Sequence, residues 1–478
     1  MIVTGSGHAR AGRRKSMKQD VPANQRKYLT QSARALIAAA LSLAMLGACG
    51  GGDTSASDEP ATLSAMAQVG QKLFADTALS ASGQQSCATC HVPGRAYAAD
   101  DGLPVPMGGP GMDLPGLRNA PSLAYLQFTP AFGFQSDGTP VGGFFRDGRA
   151  ASLADQAEMP FLTPFEMANA SADEVLARLL TRPYLDEFKA VFGPDAVSDG
   201  TTALHHIGQA LAQFQQEAPS FHPFSSKYDA YLNGRAPLTP RERNGLALFN
   251  NPAKGNCAAC HVTTPVGGTP ALFTDFTYDS VGLPRNWNIA ANIDGNALDY
   301  VPRNGTWLGE PWHDYFDLGL CGPLRTDLST RTRLCGAFKV PTLRNIALTA
   351  PYFHNGVFDT LEEAVGWYIT RDTLPARWYV KADGTPDIPY NDLPVIDVAS
   401  INVTEVPYIP ALAPTLTNSE IADVVRFLCT LTDGFDPDHP SAYPMPSQCE
   451  STEASVTAML AGPARHIPRR AAAQTPSN

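Results

Sequence analysis

Apolar residues recur at helical spacing along several stretches of this 478-residue chain. Leu204, Ile207, Leu211 and Phe214 share one helical face, as do Ile421, Val424, Val425 and Leu428, and both stripes are expected in the core. Thr417 with Glu420 opens the second stripe as a capping box, and Ser171 with Glu174 marks another start. Thr239, Pro240 and Glu242 predict one more helix, with proline in the first turn, where its missing N–H has no helical partner. A short pattern occurs twice, Gly70-Gln71-Lys72-Leu73-Phe74 and Gly245-Leu246-Ala247-Leu248-Phe249, which predicts two similar halves, 61–235 and 236–450. Long Gly/Pro-rich loops at 102–118, 130–144 and 373–415 separate the helices. The pattern predicts a mainly α fold with little strand, and a disordered tail over 451–478.

The first 48 residues follow a different pattern. Basic residues up to Arg34 precede an apolar run from Ala35 to Leu46, then Gly47-Ala48-Cys49. This predicts a lipoprotein-type signal peptide over 1–48, a lipidated Cys49 and a flexible tether over 49–60. Ordinary signal cleavage is the alternative, and Met17 is an alternative start. No later segment has the roughly 20 apolar residues of a membrane span. The chain is 44% hydrophobic and 17% charged, as in a globular protein with more than one core. Of its 35 basic and 46 acidic residues, 8 and 1 lie before Cys49, leaving a formal charge of −18 on the rest. Such acidity argues against a nucleic-acid partner.

The nine cysteines sort by spacing. Cys87-Ala88-Thr89-Cys90-His91 and Cys257-Ala258-Ala259-Cys260-His261 are c-type heme attachment signatures, in which two thiols reach the vinyl groups and the adjacent histidine ligates iron. A redox Cys-x-x-Cys or a zinc knuckle is the competing reading, but a zinc site would draw all its ligands together. Besides Cys49, four cysteines remain. Local pairing gives Cys321–Cys335 and Cys429–Cys449, one of three connectivities open to four thiols in an oxidising compartment.

Further motifs surround the pentads: Arg118-Asn119-Ala120-Pro121-Ser122, Asp147-Gly148-Arg149-Ala150, Gln156 with Pro160 and Glu166-Met167, and a run from Phe338 through Val340-Pro341-Thr342-Leu343-Arg344-Asn345 to Pro351-Tyr352-Phe353-His354. On these, residues 62 to about 435 resemble the bacterial diheme cytochrome c peroxidases and their relative MauG, which oxidises a protein substrate in methylamine utilisation. The resemblance implies two cytochrome c-like domains, a peroxidatic one before residue 235 and an electron-transfer one after it.

It also implies roles for particular residues. Peroxide would react at the His91 heme, with Glu166 and Gln156 on its open face and Pro160 shaping the pocket. One carboxylate can take the proton from one peroxide oxygen and return it to the other as the O–O bond splits. Many relatives block this heme at rest with a histidine between the first pentad and the Arg-Asn-x-Pro motif. Residues 92 to 118 contain none, and His205 and His206 stand beside a core stripe, so the first heme is expected to be open at rest. At the second heme, Tyr368 stands where the peroxidases place a ligating methionine, as in MauG; a phenolate favours higher oxidation states, so the two irons would share the oxidation. The alternative for Tyr368 is an aromatic packed beside Trp367. A calcium ion between the hemes would use Asn119, Thr349 and Pro351, unless Asn119 is only a turn residue. Arg146 stands where relatives carry an inter-heme tryptophan; it cannot relay a hole and would pair with heme propionates or form a surface ion pair. His354 is expected to organise hydrogen bonds.

The expected function is therefore reduction of hydrogen peroxide to water by an exported, lipid-anchored diheme enzyme. Its reductant would be a small cytochrome or copper protein, and the family suggests a homodimer. The alternatives are oxidative modification of a partner protein and a non-catalytic diheme electron carrier.

Overall fold

The computed structural model describes residues 62–462 except 296–297, 302–305, 308–309, 312–314, 396, 409–413 and 444. The expected signal peptide, Cys49 and the tether lie outside the described residues. Helices run in the order α1 Ala65–Ala75, α2 Cys87–Cys90, α3 Leu153–Leu162, α4 Ala172–Leu179, α5 Leu185–Phe192, α6 Gly200–Glu217, α7 Lys227–Leu232, α8 Pro240–Asn250, α9 Ala290–Asp294, α10 Leu361–Thr370, α11 Pro375–Trp378, α12 Asn418–Cys429 and α13 Glu453–Ala461. Sheet among the described residues consists of two-residue antiparallel pairs: β1 Met107–Gly108 with β2 Leu114–Pro115, β3 Gly133–Phe134 with β4 Pro140–Val141, β5 Tyr278–Asp279 with β8 Phe338–Lys339, and β6 Thr306–Trp307 with β7 Glu310–Pro311. The fold is helical with little strand.

The helix starts follow their caps. Ser171 accepts from Glu174 N, and Thr239 with Glu242 and Thr417 with Glu420 form reciprocal capping boxes. These helices enclose two hydrophobic cores. In the first, α1, α3, α4 and α6 surround Phe74, Phe161, Phe188, Phe214 and Phe221, with Tyr97 stacked on Phe221 at 3.8 Å. In the second, α8, α10, α12 and α13 surround Phe249, Phe273, Phe358, Trp367 and Phe427. The repeated glycine has the same steric reason in both. A Cβ on Gly70 would collide with the Ala210 carbonyl where α1 crosses α6, and one on Gly245 with the Asp423 carbonyl where α8 crosses α12.

Two expectations need correction. The tail is not disordered from 451: Thr452 caps α13, Val456 is fully buried, and Met459 and Leu460 pack on the second core. Cys429–Cys449 tethers the preceding segment to α12, and Ser455 of α13 donates to Glu362 of α10. The crossover between cores also precedes 235: Tyr228 already packs against Phe273 and Phe427, and its N–H donates to Thr430 O at 2.9 Å. The other disulfide joins Cys321 and Cys335.

Candidate active site

One cavity of ≈ 680 Å³ lies between the cores and is lined by both Cys-x-x-Cys-His sets. The two histidines are held alike. His91 Nδ1 donates to the Tyr97 carbonyl at 3.0 Å and His261 Nδ1 to the Phe273 carbonyl at 2.8 Å. Both acceptors belong to aromatic residues in left-handed backbone, φ 58 at Tyr97 and 55 at Phe273, conformations held by their burial in the two cores. Burial pushes each imidazole below its ordinary pKa, the carbonyl bond opposing. Each ring is therefore neutral, with its proton on Nδ1 and Nε2 left as a donor to a metal.

On the His91 side, α3 and the turn after it present Gln156, Pro160 and Glu166 to the cavity. The turn folds back over the helix end, with Met167 N donating to Pro160 O at 3.1 Å and Asn169 N to Phe161 O at 2.9 Å. Glu166 is thereby directed to the cavity wall, where burial pushes its carboxyl up to about 7 and the charge of Arg149 opposes the rise. Arg149 is itself held by Asp147 at 3.0 Å and stacked 3.7 Å over the Phe145 ring. His205 instead contacts Glu158 at 3.0 Å and His206 stacks on Phe192. Neither lines the cavity; among the described residues the lining histidines are His91, His261 and His354.

On the His261 side, α10 presents Tyr368, packed against Trp367, Phe353 and Tyr408. Burial holds the Tyr368 phenol well above its ordinary pKa, the nearby Asp279 reinforces this, and Tyr408 opposes it. The phenol loses its proton there only against a strong positive charge, which is what a ligand to ferric iron meets.

Between the two sides lies a set of buried ions. Arg118 binds Asp317 through Nε at 2.5 Å and Nη2 at 2.7 Å, and Asp147 through Nη1 at 2.7 Å. Arg146 Nη2 donates to Asn119 Oδ1 at 2.8 Å and its Nε to Asn119 O at 3.2 Å. Burial pulls the guanidinium down to about 10, helped by Arg118, so it is cationic at neutral pH. Lys339 Nζ donates to Gly143 O, and burial pulls its pKa down to about 8. His354 stacks on Phe338 at 3.7 Å, and its Nε2 lies 3.2 Å from Asp392.

Every residue expected to carry chemistry, apart from Cys49, lines this cavity, as do Thr349 and Pro351. Sequence reasoning missed Arg149, Tyr408, Lys339 and the two orienting carbonyls. Arg149 sat inside a motif already singled out, whereas the carbonyls had no side-chain signal. The donors fit a covalent heme on each side: the four thiols are unbonded and each histidine keeps a neutral Nε2. No three His, Cys, Asp or Glu side chains among the described residues converge as a metal-ion site. The calcium set fits less well, because the Asn119 carboxamide oxygen is already engaged by Arg146.

Residues 64–237 match the family model described as di-haem cytochrome c peroxidase. The chain is 39% identical over 310 residues to methylamine utilization protein MauG of Paracoccus denitrificans, covering 64% of this chain and 74% of that one. It is 32% identical over 309 residues to cytochrome c551 peroxidase of Nitrosomonas europaea, covering 63% and 71%. The crystal structure of the diheme peroxidase BthA from Burkholderia thailandensis superposes with a TM-score of 0.69 at 37% identity, covering 81% of this chain and 89% of that one. The cavity, its paired Cys-x-x-Cys-His sets and these relatives agree: the chain belongs to the diheme cytochrome c peroxidase family that includes MauG.

Proposed function

We propose that this protein reduces hydrogen peroxide to water at the His91 side of the cavity, while the His261 side stores or passes on the oxidising equivalents. The observation that carries the reading is Glu166, a buried carboxyl with a pKa of about 7 on the same cavity as His91. Two c-type hemes, bound through Cys87, Cys90 and His91 and through Cys257, Cys260 and His261, would supply redox-active iron. Gln156 orients a peroxide by hydrogen bonding. Glu166 takes a proton from one peroxide oxygen and delivers it to the other, which a carboxyl with a pKa near neutral can do in both directions. Pro160 lies within the last turn of α3, and its carbonyl accepts from Met167 N in the turn that carries Glu166.

In this reading Tyr368 would help His261 hold the second heme iron, and Arg146 and Lys339 would supply positive charge to heme carboxylates. The setting is the periplasm, with Cys49 as a lipid anchor and a small redox protein as electron donor. A second reading, oxidation of a partner protein, is favoured by the identity to MauG. A bare electron carrier would have no use for Gln156 and Glu166 on an open face. The test is stopped-flow mixing of fully ferric protein with peroxide. Immediate reaction without prior reduction, lost in Glu166→Gln, is expected; an inert ferric protein or unchanged variant kinetics overturns the reading. Steady turnover with a small cytochrome separates the peroxidase from the protein-modifying alternative.

A further inference from the structure

The one side-chain oxygen that the family resemblance assigns to calcium is already engaged in this chain. Asn119 accepts twice from one guanidinium: its Oδ1 from Arg146 Nη2 at 2.8 Å and its carbonyl from Nε at 3.2 Å. Calcium takes six to eight oxygens, drawn from carboxylates, amide and main-chain carbonyls and water. Among the described residues no carboxylate lies within ion-pair distance of Arg146. A divalent ion here would face a buried arginine, with Lys339, also lacking a carboxylate partner among the described residues, lining the same cavity. Repulsion between such charges is strong where water is excluded.

We propose that the Arg146 guanidinium takes the place of the calcium ion between the two heme sites, so that this chain joins its two sides without the metal. The link is mechanical as well as electrostatic. Asn119 N donates to His354 O at 2.8 Å, so Asn119 is tied to the 351–354 segment from which the expected calcium ligand Pro351 comes. Arg146 is tied through its carbonyl, which accepts from Lys339 N at 2.8 Å, and through Asp147, gripped by Arg118, Arg149 and Arg325. The planar fork of the guanidinium therefore connects segments that a bound ion would otherwise gather. A single positive charge replaces a double one, and it cannot be removed by a chelator.

The inference rests on the two-heme reading but not on the peroxide chemistry, and its test uses neither turnover nor peroxide. Heme-loaded protein, with loading verified by the pyridine hemochrome spectrum, is treated with EGTA, assayed for calcium by elemental mass spectrometry, and followed by EPR and heme redox titration. The wild type is expected to hold no stoichiometric calcium and to keep its EPR signals and potentials through EGTA treatment. Arg146→Gln, which removes the charge and the fork, is expected to gain bound calcium and a reversible EGTA response, whereas Arg146→Lys, which keeps the charge, is expected to gain neither. Stoichiometric calcium in the wild type whose removal shifts the EPR signals overturns the proposal. So does a heme-loaded Arg146→Gln protein that binds none. If Arg146→Gln does not fold, the wild-type measurement decides alone.

Discussion

The two histidine sites share one frame and differ in what faces it. In each half a glycine lets a first helix cross the last long helix of its core, and in each an aromatic residue in left-handed backbone offers its carbonyl to the histidine. The cavity wall on the His91 side carries a carboxyl with a pKa near 7 and the Gln156 amide. On the His261 side it carries a buried phenol among other aromatics, with Asp279 close by. Like support with unlike faces fits the proposed division, proton transfer on one side and stored oxidation on the other.

That division is broken most directly at Glu166. Glu166→Gln is expected to slow the ferric protein's reaction with peroxide by about 10²–10⁴-fold, leaving the EPR signal of the His261 side unchanged; an equal disturbance of both sides would show that they are not separate. The shared frame is tested by Gly70→Ala and Gly245→Ala. Each is expected to lower stability by about 1–3 kcal/mol in chemical denaturation, despite the roughly 1 kcal/mol that alanine gains in a helix. A loss in only one half would end the parallel.

Tyr368→Phe sharpens the comparison from the other side. Loss of the axial charge-transfer features of the second heme is expected, while the peroxide step changes by less than about tenfold, because sites without shared partners couple weakly. The smallest effect concerns Arg149. Glu166 acts as a base only when ionised, so the peroxide step falls as pH drops through about 7. Arg149 favours the carboxylate, so Arg149→Gln is expected to raise that midpoint by about one unit, moving the fall to higher pH in a pH–rate profile.

Much of this was legible in the residues. The pentads, the capping residues Thr239, Glu242, Thr417 and Glu420, and the repeated glycine each act through local chemistry or fixed spacing, which a linear string preserves. Helix α13 was not legible, because its packing face is only Val456, Met459 and Leu460 and its anchor is a disulfide made elsewhere. The orienting carbonyls of Tyr97 and Phe273 were hidden because main-chain acceptors carry no residue identity. Tyr408 and the hold of Arg146 on Asn119 depend on long-range closure, with partners 40 and 27 positions away.

The glycine crossings also bear on the order of assembly. In each half the crossing joins the first long helix to the last, and the thiols sit on the chain between them. Closing so long a loop costs entropy that is recovered only when the enclosed space is filled. Before closure the Cys87 and Cys257 segments are accessible to an attachment enzyme; after it they face an interior. Cofactor ligation is therefore expected ahead of the final helix docking.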